Sequence, residues 1–276
     1  MAGALVLVGT PIGNLGDITL RAIETLKAAD GVAAEDTRRT RALLSHLGIG
    51  KKPLVCLDAN ASARALSAVL DRVAAGETFA FVTDAGMPSI SDPGSELVRA
   101  AVARSLCVTV VPGPSAVATA IALSGLVDAA YFFAGFLPRQ GSKRTAAIDR
   151  IASAAEPVVI FEAPGRTPST LADLAQRMPE RPAAVCRELT KLHEEALRGS
   201  LAELAAQSRE LRGEVVIVLG AMEVAVALPT DDQIDARIRQ ELGAGASPRD
   251  VADRLTGWSG RSRREVYARV IAISER

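Results

Sequence analysis

Acids, guanidiniums and hydroxyls gather in this chain at the ends of short apolar runs. The densest stretch is Thr83-Asp84-Ala85-Gly86-Met87-Pro88-Ser89-Ile90-Ser91-Asp92-Pro93-Gly94, which follows the apolar run Phe79 to Val82. Beyond it, Leu97, Val98, Ala101 and Val102 recur at helical spacing within Ser95 to Ala103. Asp92 is a natural cap for that helix, and Pro93 stands where the first helical residue has no use for its N–H. A strand-to-helix loop ordinarily takes roughly two to six residues. This one is longer and devotes Gly and Pro to special backbone positions, which argues for a ligand. A second group, Glu35-Asp36-Thr37-Arg38-Arg39-Thr40, sets two carboxylates beside two guanidiniums. A carboxylate takes the proton of an attacking hydroxyl when its surroundings raise its pKa. Equally, Asp36 or Thr37 caps the next helix and Arg38 pairs with a carboxylate. The first apolar run ends in Gly9-Thr10-Pro11-Ile12-Gly13-Asn14-Leu15-Gly16-Asp17, where glycine lets backbone approach a ligand. Thr10 and Asn14 also suit turns that bond their own backbone.

The elements that must carry these loops alternate. Strands are predicted at Leu5–Val8, Gly31–Glu35, Leu54–Leu57, Phe79–Val82 and Val108–Val111, with helices between them at Thr19–Ala29, Arg38–His46 and Ala61–Ala75. Short apolar strands alternating with helices predict a parallel sheet covered on both faces, with the loops above at its carboxyl edge, where open α/β sheets bind ligands. Pro112-Gly113-Pro114 breaks the pattern, and Ser115 to Leu123 is a small-residue helix leading into a second part. There the strand-like runs are Val158–Phe161, Ala183–Arg187, Ala196–Arg198 and Val215–Leu219, with fewer helices between the last of them, so a mixed sheet is expected. From Leu228 the strand signal ends, and Thr230–Leu242, Ser247–Leu255 and Arg261–Ile273 predict a three-helix appendage. The expected division is 1–113, 114–227 and 228–276.

Composition narrows the chemistry. The 276 residues carry 32 basic and 32 acidic side chains, so bulk electrostatics does not hold this protein to nucleic acid. Basic residues do cluster locally at Arg38-Arg39-Arg41, at Arg139 with Lys143-Arg144, and at Arg261-Arg263-Arg264, where solvated helix faces are the competing reading. Cys56, Cys107 and Cys186 are far apart in apolar runs and read as buried thiols. With only His46 and His193 besides, no metal site is expected. The dinucleotide and P-loop glycine fingerprints are missing, which disfavours NAD and nucleoside triphosphates. No apolar stretch reaches the ~18 residues of a membrane span. The N-terminus enters a strand without a basic leader, so the chain is expected to be cytoplasmic with no membrane partner.

Four motifs, in order and spacing, carry a resemblance: Gly9-Thr10-Pro11-Ile12-Gly13-Asn14, Ala34-Glu35-Asp36-Thr37-Arg38, Asp84-Ala85-Gly86-x-Pro88 with Ser91-Asp92-Pro93-Gly94, and Pro112-Gly113-Pro114-Ser115-Ala116. The chain resembles the tetrapyrrole-methylase-like S-adenosylmethionine methyltransferases over nearly its whole length. Phe133-Ala134-Gly135-Phe136-Leu137-Pro138-Arg139 and Arg187-Glu188-Leu189-Thr190-Lys191 point to the branch that methylates a cytidine 2′-hydroxyl in 16S rRNA. Met87 stands where that branch usually has Thr, and Gly165 where a His is common.

The resemblance implies the two-domain class III fold, with a parallel-sheet first domain, a mixed-sheet second domain and a small helical appendage. It implies S-adenosylmethionine as cofactor, touching Pro11, Thr83, Asp84, Ala85, Gly86, Ser115, Ala116, Glu162 and Leu189. The start of the helix at Ser115 and Ala116 suits the cofactor's carboxylate. It implies 16S rRNA in the small ribosomal subunit as partner, met by Asn14, Arg38, Arg39, Asp92, Arg139, Lys143 and Arg144, with Asp36 or Glu35 as base, and a homodimer. Two other readings remain at this level, carbon methylation of a tetrapyrrole and a non-catalytic ribosome-binding factor.

Overall fold

The computed structural model describes residues 3–58, 61–89, 94–207, 213–222 and 228–275. The chain forms two compact units, Met1–Glu223 and Val224–Arg276. In the first unit a five-stranded parallel sheet has the order β3-β2-β4-β1-β5. Its strands are β1 Ala4–Val8, β2 Gly31–Ala34, β3 Leu54–Cys56, β4 Thr78–Val82 and β5 Cys107–Val111. Strand period decides what each face receives. On β4, Phe79 and Phe81 enter one core with Leu5 and Leu7, packed by α3 (Ala63–Ala74) and α4 (Gly94–Ala103). Ala80 and Val82 face the other core with Val6 and Val8, where α1 (Leu20–Ala28) and α2 (Thr37–His46) close in.

The connections from β1 and β2 therefore cover one face, and those from β3 and β4 the other. The reversal falls between the neighbours β1 and β4, so their carboxyl ends open the crevice where α/β sheets bind ligands. Helix starts are set by capping side chains. Thr19 accepts the Ala22 N–H, and Ser62 that of Ala65, which puts the third helix's start at Ala63 rather than Ala61.

The second sheet, also five-stranded, has the order β6-β7-β10-β8-β9. Its members are β6 Phe132–Phe136, β7 Val158–Glu162, β8 Pro182–Arg187, β9 Glu195–Ser200 and β10 Val215–Leu219. Only β6 and β7 run parallel, and the rest pair antiparallel, so the sheet is mixed. β6 was not among the predicted strands. Its register shifts between Phe133 and Gly135, and Gly135 takes φ +65°, which breaks the alternation that betrays a strand. Helices α5 (Ala116–Ser124), α6 (Ser142–Ser153), α7 (Thr167–Ala175) and α8 (Leu201–Gln207) cover the sheet.

Two of the three cysteines correct the expectation of buried thiols: Cys56 and Cys107 are exposed, and only Cys186 is buried. The first two lie on β3 and β5, the strands at the two edges of the first sheet, which neighbours do not enclose. Cys186 sits inside the second sheet, and burial pushes its thiol up to about 11.

The second unit packs α9 (Asp231–Gly243), α10 (Pro248–Ser259) and α11 (Arg263–Ser274) around Ile234, Ile238, Val251, Leu255, Val266 and Val270. Capping boxes at Thr230/Gln233 and Ser262/Glu265 open the first and last helices. Among the described residues no helix is long and apolar enough to cross a membrane, and no group of three metal-ligating side chains occurs.

Candidate active site

The loops after β1 and β4 are joined by backbone. Thr10 and Gly86 exchange N–H···O bonds of 3.0 and 3.1 Å, an isolated antiparallel bridge across the crevice. Gly86 takes φ +81°, and a Cβ there would lie 3.0 Å from Ile12 Cγ2 and 3.3 Å from the Pro114 carbonyl. Both conformation and space demand glycine at this point. Gly13 is equally enclosed: a Cβ would meet Lys191 Cγ at 2.6 Å, so the β1 loop lies tight against the segment Leu189–Lys191 between β8 and β9.

Above this floor lies a cavity of about 340 Å³, within the ~300–1,000 Å³ of small-molecule sites. The first sheet supplies Ile12, Glu35, the run Thr83–Met87, Ser115 and Ala116; the second supplies Phe136, Phe161, Glu162, Ala163, Pro164, Glu214, Val215 and Val216. Phe161 packs against Phe133 and Phe136 at centroid distances of 5.0 and 5.4 Å, giving an aromatic wall suited to a flat ring. Ser115 caps α5 by accepting the Ala118 N–H, so this helix begins at the cavity and its first N–H groups favour an anion. Met87 adds its sulfur as acceptor of the Gly113 N–H at 3.2 Å.

The carboxylates differ. Glu162 is buried, pairs with Arg166, and accepts the Ala163 N–H at 2.8 Å and the Thr170 hydroxyl at 2.7 Å. Glu35 is half-buried on the cavity wall, where its Oε2 accepts the Asp84 N–H at 3.4 Å. Asp84 Oδ2 pairs with Arg39 at 3.3 Å, while its Oδ1 is buried with no hydrogen-bond partner.

The other expected residues divide between the site and the scaffold. Thr83, Asp84, Ala85, Gly86, Ser115, Ala116, Glu162 and Glu35 converge on the cavity. Pro11 lines a neighbouring cavity, and Leu189 is buried in the core beneath Ile12. Asp36 is outside the cavity lining. It caps α2, accepting the Arg38 N–H at 2.7 Å, and the Arg38 guanidinium holds its carboxyl down at about 2. Asn14 caps the short 3₁₀ turn at Leu15–Asp17. Arg38 is 87% exposed, whereas Arg39 turns toward Asp84. Arg144 is held by Asp173, Thr170 and the Pro138 carbonyl, beneath exposed Arg139 and Lys143. Asp92, with its expected capping role, lies outside the described residues. Glu214, Val215 and Val216 escaped sequence reasoning; the only signal was an acid directly preceding a buried strand.

Comparison with known proteins accounts for this architecture. A parallel sheet followed by a mixed one, with the cavity between them, is the class III S-adenosylmethionine methyltransferase fold. Diphthine synthase superposes with a TM-score of 0.62 at 18% identity, covering 79% of this chain and 90% of that one. The uroporphyrin-III-C-methyltransferase of Thermus thermophilus gives 0.56 at 21%, covering 84% and 99%. The model of the tetrapyrrole (corrin/porphyrin) methylases matches residues 4–205, and the chain belongs to that family of methyltransferases.

It is 38% identical over 276 residues to ribosomal RNA small subunit methyltransferase I of Mesorhizobium japonicum, covering 99% of this chain and 92% of the relative. The protein of the same name from Halalkalibacterium halodurans is 43% identical over 219 residues, 79% and 75% of the two chains.

Proposed function

We propose that this chain transfers the methyl group of S-adenosylmethionine to the ribose 2′-hydroxyl of a cytidine in 16S rRNA, acting on the small ribosomal subunit. The observation that carries the reading is the cavity at the β1/β4 crevice, where a glycine floor, an aromatic wall and a helix start surround a half-buried carboxylate. Relatives named ribosomal RNA small subunit methyltransferase I, similar over nearly the whole chain, support the choice of acceptor.

The residues present fit the cofactor. The strip Thr83–Gly86 lines the cavity and is held close by glycine at Gly86, where a Cβ would crowd Ile12 and the Pro114 carbonyl, Phe136 and Phe161 offer apolar faces to an adenine, and the start of α5 at Ser115 and Ala116 suits a carboxylate. When bound, S-adenosylmethionine supplies an electrophilic methyl carbon. The protein's tasks are to align the acceptor oxygen with it, exclude water, and remove the hydroxyl proton. Glu35, on the cavity wall, takes that proton at its carboxylate. Asp36, the other candidate, serves as helix cap. Pro11 adjoins Ile12 of the floor in sequence, and Leu189 packs in the same core cluster as Ile12.

On the acceptor side, Arg39 beside the cavity and exposed Arg38, Arg139 and Lys143 meet the RNA, while Arg144 orders the loop that presents the latter two. The division at 113 and 227, the homodimer and the cytoplasmic location belong to this same reading. So does RNA docking by the tail, although Arg261 and Arg263 there already pair with Asp231 and Asp253. Radiolabelled methyl transfer to naked 16S rRNA and to assembled small subunits tests the proposal. Label at a cytidine 2′-oxygen is expected with subunits. Saturable cofactor binding without label on either RNA overturns it.

A further inference from the structure

Phe136 is 57% exposed, although its ring lines the methyl donor's cavity and packs on Phe161 at a centroid distance of 5.4 Å. Phe133 and Phe161 lie half-buried beside it. A single exposed apolar side chain is ordinary on a protein surface. This one stands at the rim of a cavity, and the fold holds it there.

The backbone is fixed on both sides of the ring. Before it, Gly135 takes φ +65° at the register shift between Phe133 and Gly135, a kink that re-aims the side chain that follows. After it, Leu137 is buried, and its carbonyl accepts Arg166 Nη1 at 3.1 Å. The Pro138 carbonyl accepts Arg144 Nη1 at 3.2 Å. Both guanidiniums are themselves tied to acids, Arg166 to Glu162 and Arg144 to Asp173. A flat ring on so constrained a backbone gives up little freedom when another ring stacks on it. The same loop then exposes Arg139 and Lys143, neither of which has an ion pair among the described residues.

An aromatic platform beside unpaired cations suits an unstacked nucleotide, the ring taking the base face and the cations the phosphates. Glu35, the proton acceptor proposed above, lines the same cavity as Phe136. At about 340 Å³ that cavity is at the small end of ligand sites, so with the donor bound inside, the acceptor base is left at the rim. Resting on the functional reading above, we infer that the base of the acceptor nucleotide stacks on the outward face of Phe136, with its flanking phosphates toward Arg139 and Lys143 and its ribose turned into the cavity toward Glu35. The inner edge of the ring stays with Phe161 on the donor's side. Stacking tolerates any base, so Phe136 places the nucleotide rather than choosing it.

Phe136→Leu keeps an apolar side chain against Phe161 and removes the flat face, whereas Phe136→Tyr keeps that face. Loss of one base–aromatic stack is worth about ten- to a hundredfold. With the full-length protein at saturating S-adenosylmethionine, kcat/KM for small subunits should fall by that factor in Phe136→Leu. It should stay within a few-fold of wild type in Phe136→Tyr. Should Phe136→Leu fold poorly, Phe136→Met, equally apolar and equally without a flat face, carries the test. Normal kcat/KM in the folded non-aromatic variant overturns the inference, and so does a loss in Phe136→Tyr as deep as that in Phe136→Leu. A loss that disappears once S-adenosylmethionine is saturating leaves the ring to the donor alone and overturns it as well. A wild-type protein that labels no subunits overturns the functional reading itself, a result distinct from wild-type labelling that the Phe136 variants leave unchanged.

Discussion

Glu162 and Asp84 stand on opposite walls of one cavity, and the fold satisfies them to opposite degrees. Glu162, at the end of β7, has no exposed side-chain surface and gathers Arg166, the Thr170 hydroxyl and the Ala163 N–H. Asp84, after β4, has one oxygen shared with a mostly exposed Arg39 and one buried oxygen with no partner. An unsatisfied buried polar atom costs about 1–3 kcal/mol. The second-sheet wall is thus complete as it stands, whereas the first-sheet wall retains a backbone turn at Gly86 that only glycine adopts without strain, and an open acceptor. An acid facing a cavity is therefore no sufficient sign of ligand contact; what distinguishes the two is whether the protein already supplies the partners.

The comparison predicts that variants of the first-sheet wall lose function with little loss of stability, and variants of the second-sheet wall the reverse. The largest effect is expected at Glu35. Removing a general base typically lowers rate by about 10²–10⁴-fold. Glu35→Gln should therefore show that loss in kcat for subunit methylation, with cofactor affinity preserved by calorimetry. A kcat within a few-fold of wild type would move the proton-accepting role elsewhere. On the opposite wall, Glu162→Gln leaves the Arg166 guanidinium without its charge partner against a fully buried site. Breaking such a pair costs about 3 kcal/mol, here at the low end because Arg166 is 26% exposed. Urea denaturation should show that loss, with kcat for the folded fraction close to wild type. If Glu162→Gln keeps full stability but loses cofactor affinity, the two walls have been assigned the wrong way round.

Gly86→Val sharpens the contrast on the first wall. Valine at φ +81° is strained by about 1–3 kcal/mol, and its Cβ would crowd Ile12 and Pro114. The Thr83–Gly86 strip must shift, and cofactor affinity should fall about a hundredfold while far-UV circular dichroism retains the helix and sheet content. Unchanged affinity in the folded variant would remove this strip from the cofactor site.

How far the sequence foretold this arrangement depends on the range over which each residue acts. The strands of the first sheet were legible because Phe79–Val82 and Leu5–Val8 are short apolar runs between capped helices. The ligand edge followed from the Gly and Pro content of their loops. Pairing was not legible: nothing local says that Thr10 meets Gly86, residues that come together only when β4 inserts beside β1. Glu162 was expected at the site only through the family resemblance, and its partners Arg166 and Thr170 lie on the following turns, where only the fold turns them inward. Glu214 reaches the cavity because β10 lies antiparallel beside β7, a pairing without a local signature. The tail shows the same limit. Basic residues cluster at the start of its last helix, where they oppose the helix dipole, and only the fold brings Asp253 to Arg263, with Glu265 closing the capping box.

Asp36 gives the smallest effect and the cleanest separation of scaffold from site. It neighbours Glu35 in sequence, yet its carboxylate is directed at Arg38 and the start of α2. Hydrogen bonds from Arg38 hold its pKa at about 2, below the ~3.9 of an unfolded Asp. A group depressed in this way stabilises the fold above its unfolded pKa and loses that contribution as pH falls through the folded value. Asparagine is itself a good cap, so Asp36→Asn removes the charge and keeps the cap. The difference in urea midpoint between the two proteins should be small and constant near neutral pH. It should then shrink between pH ~4 and pH ~2 as the wild-type carboxylate is protonated. Methyl transfer by Asp36→Asn should remain within a few-fold of wild type. A loss of kcat as deep as that expected for Glu35→Gln would instead make Asp36 part of the chemistry, and α2 would have to present it to the acceptor in a conformation other than the one capped here.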